Sequence, residues 1–99
     1  MRKSDKKIDN SIRQALTELC ENHLKDLSGF CWITHTVNYQ QFPKSLYITC
    51  VFDEQHSLTQ FLQSEQHIQV EQRIYKALSQ ININTKAHKK LVIYTVKDD

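Results

Sequence analysis

Ile8, Ile12, Ala15, Leu16, Leu19, Leu24 and Leu27 recur mainly at intervals of three and four, with Cys20 joining them. That spacing draws one apolar stripe along an amphipathic helix. It predicts a helix over residues 6 to 27, with Asp5 or Asp9 capping its start. Gly29 is placed to end it, because glycine adopts the left-handed turn after a helix without a steric penalty.

The rhythm then changes to a period of two. "FCWITHTV", residues 30–37, is rich in aromatic and β-branched side chains, which suit a pleated surface. Cys31, Ile33, His35, Val37 and Tyr39 fall on one side, and Phe30, Trp32, Thr34 and Thr36 on the other. Leu46, Ile48, Cys50 and Phe52 alternate with Tyr47, Thr49 and Val51, which predicts a second strand. A connection of about six residues joins the two as an antiparallel hairpin. Pro43 belongs in that connection, since proline cannot donate to a ladder.

From Ser57 onward a helical period returns. Leu58, Phe61 and Leu62 make one apolar face, and Val70, Ile74, Ala77, Leu78 and Ile81 another. The two are out of phase across Ser64–His67, so the stretch reads as two helices or as one with a kink at 64–67. Asn82 and Asn84 are turn residues, asparagine being tolerant of left-handed backbone. The final "LVIYTV", residues 91–96, is a continuous apolar run of the kind found in strands covered on more than one side.

The order is α-β-β-α-α-β. It predicts an α+β fold: a three-stranded sheet with helices on one face, the other face partly open. Leu16, Leu19, Ile48, Phe61, Ile74, Leu78 and Ile93 are the expected shared core. Ninety-nine residues are enough for a single domain. Residues 1–5 read as a flexible basic N-terminus and 97–99 as a tail.

Composition narrows the class. The chain is 39% hydrophobic and 24% charged, within the globular range. One glycine and one proline are too few for the turns of a β-sandwich. No apolar run approaches the length of a membrane helix, and "MRKSDKKIDN" has no apolar segment behind it, so a cytoplasmic protein without membrane attachment is expected.

The net charge of +2 is small, but its distribution is uneven. Arg2, Lys3, Lys6 and Lys7 crowd the start, and Lys86, Lys89 and Lys90 precede the last strand. Each cluster alone reads as a solvated face; convergence on one face would make a nucleic-acid site. Phe42 and Lys44 flank Pro43 as a loop contact, with Phe42 either capping the end of the sheet or protruding.

Chemical motifs are sparse. Cys20 and His23 share a helix, but zinc needs three or four ligands. Cys31 and His35 are about 13 Å apart along a strand. Cys20, Cys31 and Cys50 each have apolar neighbours and read as reduced structural thiols. No nucleophile–base set and no phosphate-cradling loop appears. The expectation is a chain without catalytic residues, cofactor or metal. Trp32, Tyr47 and Tyr94 default to core burial, with base stacking on an open sheet as the alternative. His56, His67 and His88 read as surface residues.

The element order, with "SLYITCVFD" as a hairpin strand ending in an acidic turn and "KKLVIYTVKDD" as a final strand after a basic approach, resembles the type II KH-like domain over roughly residues 6 to 97. Within that group it looks closest to the ribosome-binding factor A family. The resemblance implies a binding module for RNA or the ribosome, with the helical kink at Ser64–His67 in place of a G-x-x-G loop. The chain also looks like a small bacterial family of unassigned role, labelled Fis-type transcriptional regulators. Three readings therefore stand: an RNA- or ribosome-associated module; a protein-interaction or regulatory domain, including a homodimer; and a DNA-binding regulator. The third would need a surface other than a C-terminal recognition helix, because "LVIYTV" is strand chemistry.

Overall fold

A computed structural model describes residues 3–42, 44–85 and 91–97. The first element, α1, spans Lys3–Leu19 and runs directly into a π-helical turn, Cys20–Leu24. The turn is closed by Lys25 N–H donating to the Cys20 carbonyl at 2.9 Å. Its cause is legible in the spacing. Ile12, Leu16 and Leu19 keep the helical rhythm and are buried, but the next large apolar residue, Leu24, comes five positions later. The wider turn absorbs the extra residue and seats Leu24 fully in the core.

This revises the expected helix. It already includes Lys3, so the basic segment is helical from there rather than a loose arm. Asp9 lies inside the helix and is no cap. Gly29 stands beyond the helical turns at φ +79°, and a Cβ there would come within 2.3 Å of the Ser57 Cβ. Glycine is thus required both by left-handed backbone and by close packing.

Strand β1 (Phe30–Thr36) pairs antiparallel with β2 (Tyr47–Phe52), with a bulge at Cys31. Their connection, residues 37–46, is longer than expected and contains a 3-10 turn at Tyr39–Gln41. Asn38 organises it: its side chain accepts from Gln40 N–H at 3.0 Å, while Ser45 Oγ accepts from Asn38 N–H at 2.9 Å and donates to its carbonyl at 2.7 Å. Pro43 lies outside the described residues.

Helices α2 (Gln55–Gln63) and α3 (Gln66–Gln80) meet at the expected kink. The left-handed residue there is Glu65, at φ 64°. A third left-handed residue, after Gly29 and Glu65, is Asn82 at φ 66°, which ends α3 as the asparagine signal predicts. Strand β3 (Val92–Val96) returns parallel to β2, giving the sheet order β1-β2-β3.

All helices pack on one face of this sheet. Ile48, Cys50 and Phe52 from the middle strand meet Ile12, Leu16 and Leu24 from the first helix and Phe61, Ile74 and Leu78 from the helical pair in one contiguous core. Phe52 anchors its aromatic part, with Phe61 at 4.9 Å and Phe30 edge-on at 6.0 Å. Ile93 departs from the expected core. It is 41% exposed, because β3 is covered on one side only. Val92, Tyr94 and Val96 take the helix-facing positions.

Candidate functional site

The uncovered face of the sheet is set by register. Trp32, Val51 and Thr95 form one cross-strand row, Thr34, Thr49 and Ile93 the next, and Thr36 with Tyr47 the last. Trp32 is 48% and Tyr47 38% exposed, so both depart from the expected core burial. Tyr94, on the opposite face, is half-buried and donates to Glu71 Oε2 at 2.7 Å. The open face is uncharged at these eight strand positions, and its apolar side chains are interleaved with threonines.

On the covered face, one end of the sheet is joined to α1. Asp9 Oδ1 accepts from His35 Nε2 and from the Tyr39 hydroxyl, each at 2.8 Å, and Asp9 Oδ2 pairs with Arg13 Nε at 2.9 Å. The His35 hydrogen bond, foremost, holds the Asp9 carboxyl below its ordinary range; desolvation opposes this, and Tyr39 and Arg13 add to it. Desolvation and the same carboxylate raise the Tyr39 hydroxyl well above the usual phenol range. Nothing in the local sequence links Asp9 to residues 26 and 30 positions downstream, so the network had no sequence signal.

The anchored end gathers several of the sequence-predicted residues. Lys3, Lys6 and Lys7 lie in the turns of α1 before Asp9 and are exposed. Lys44 is exposed in the adjacent connection. Phe42 caps rather than protrudes: it is half-buried against the core, its ring 5.8 Å from that of Tyr39. Thr36 pairs with Tyr47 at this end, and Val92 pairs with Ile48, so both β2 and β3 begin here. Arg2, Lys86, Lys89, Lys90 and His88 lie outside the described residues.

The remaining chemistry-bearing groups are dispersed. Among the described residues no three His, Cys, Asp or Glu side chains gather as a metal site. Burial, first of all, pushes the Cys50 thiol up to about 12, and burial also raises that of Cys20. His23 accepts from Arg73 Nη1 at 3.1 Å across a groove of about 440 Å³ between α1 and α3. His67 is half-buried rather than superficial, packed edge-on to Phe61 and Tyr94 at 6.3 and 6.4 Å. A larger groove, about 880 Å³, follows the outer edge of β1 beside α1.

No protein-family model, no curated protein and no solved structure matches this chain.

Proposed function

We propose that this chain is a non-enzymatic RNA-binding module whose contact surface is the anchored end of the sheet. The observation that supports this is that exposed Lys3, Lys6 and Lys7, before Asp9 on α1, and exposed Lys44 belong to the same end of the sheet as exposed Tyr47, which lies on the open face. Lysines neutralise backbone phosphates, and an exposed aromatic offers a stacking surface for an unpaired base. The KH-like resemblance, which rests on the α-β-β-α-α-β order, implies ribosome-associated RNA as the ligand.

The test is a titration of labelled single-stranded and hairpin RNA at two salt concentrations. Replacing Lys3, Lys6 and Lys7 by glutamine weakens binding and flattens the slope of log K against log salt by about 2, the value for three contacts to a single strand. Tyr47→Ala weakens binding by roughly tenfold or more, as the loss of one stacked base does. Absence of binding at low salt, or unchanged binding by both variants, rejects the reading.

One observation favours a second reading. The eight strand positions on the face without helices carry no charge; Val51 among them is buried, but Trp32 and Ile93 are each more than two-fifths exposed. Such a surface suits a protein partner better than a phosphate backbone. Under this reading Trp32→Ala and Ile93→Lys abolish complex formation while the lysine variants do not.

A further inference from the structure

Strand β1 is an outer strand, and beyond the bulge at Cys31 its free edge, residues 32–36, pairs regularly with β2 and has no further bulge to turn it away. "FCWITHT" carries no lysine, acidic residue or proline. Among the described residues no other strand pairs with it on that side. Exposed edges normally hold a charge or a proline that deters pairing with another chain. Beside this edge runs the 880 Å³ groove, whose helical wall carries Arg13, Thr17 and Glu21. Arg13 and Thr17 lie on α1 and Glu21 at the start of the π-helical turn that continues it; spaced by four residues and all exposed, they form one stripe beside the strand.

The stripe is self-complementary under a two-fold rotation. Helix α1 runs antiparallel to β1, because Asp9 is tied to His35 and Tyr39 at one end while Cys20 and Glu21 line the groove with Cys31 at the other. Thr17 therefore falls beside the middle of the strand. Arg13 to Glu21 spans about 12 Å of helix, and Cys31 to His35 about 13 Å of strand. An axis near Thr17 and Ile33 thus serves both elements.

We propose that the occupant of this edge is a second copy of the chain, its β1 paired antiparallel with the first. The sheet becomes six-stranded and continuous. The two α1 helices lie antiparallel across the axis and fill the two grooves. Arg13 of each copy meets Glu21 of the other, so the charge pairing occurs twice, as an isologous interface requires. On the open side Trp32 faces Thr34 of the second copy, an aromatic–β-branched cross-strand pair. The two open faces join into one surface. None of this depends on RNA binding, and failure of the RNA titration leaves it intact.

Sedimentation equilibrium of the full chain from about 1 to about 200 µM, a range that brackets micromolar dissociation constants, measures the association. A dimer is expected. Arg13→Glu and Glu21→Arg each place like charges opposite one another and weaken the dimer tenfold or more, and the double variant recovers most of the loss. Circular dichroism melting confirms that each variant is folded. Hydrogen exchange gives an independent readout: the β1 amides are protected at high concentration and exchange faster on dilution. A chain that is monomeric throughout, a dimer indifferent to both single changes, or a double variant no better than either single one overturns the proposal.

Discussion

Asp9 and His35, 26 residues apart in sequence, meet at 2.8 Å between α1 and β1. The carboxylate is mostly shielded from solvent and also accepts from Tyr39. Hydrogen bonds to a charged acceptor contribute about 1.5–3 kcal/mol, more than neutral ones, so this contact fixes the first helix on the sheet at the end where the candidate site lies.

Asp9→Ala should destabilise the fold by about 2–3 kcal/mol, because two partly buried donors lose their acceptor. The pH dependence has a definite sign. The folded carboxyl titrates below its unfolded value near 3.8, so its contribution is complete above that value and disappears as pH falls through the folded one. Urea unfolding at pH 7 and at pH 3 checks both points. The gap between wild type and variant should narrow in acid, and a constant gap would show that ionised Asp9 adds nothing.

Leu19→Ala should cost about 2–5 kcal/mol, the range for a buried leucine, since Leu19 is 6% exposed in the core. Ile93→Thr, on the open face, should cost under about 1 kcal/mol, because it keeps the β-branch and creates no cavity. Thermal and chemical denaturation of the two variants measures the contrast. Equal losses would place Ile93 in a buried interface.

Two of the left-handed positions, Glu65 and Gly29, should respond in opposite directions. Glu65→Gly should stabilise by about 0.5–1 kcal/mol, relief of left-handed strain exceeding the entropy that glycine adds to the unfolded chain. Gly29→Ala should destabilise by more than about 2 kcal/mol, since the added methyl group meets Ser57 and the backbone remains left-handed. Melting temperatures of both variants decide the matter.

Thiol reactivity should separate Cys50 from Cys20 and Cys31. All three are free, but Cys50 is buried at 2% exposure and its thiol is pushed up to about 12. Under native conditions a disulfide reagent should label Cys20 and Cys31 first, and Cys50 only on unfolding. Mass spectrometry of partially labelled chains would expose any early reaction at Cys50.

Local order was legible in the sequence. The stripe through Ile12, Leu16 and Leu19 predicts α1; the alternation through Ile48, Cys50 and Phe52 predicts β2; and the phase break predicts a kink or helix boundary within Ser64–His67, which the structure puts at Glu65. These are nearest-neighbour effects of side-chain periodicity, which a linear chain carries in full. What periodicity cannot give is which of two faces will be covered. Trp32 and Cys31 alternate equally well, and only the docking of the helices left Trp32, Tyr47 and Ile93 outside. The same holds for Asp9, whose partners depend on how α1 lies across β1. It holds too for β3, whose apolar run suggested cover on more than one side, whereas the helices cover only the face of Val92, Tyr94 and Val96. Burial and long-range hydrogen bonds depend on the relative placement of whole elements, and that placement is decided only when the core closes.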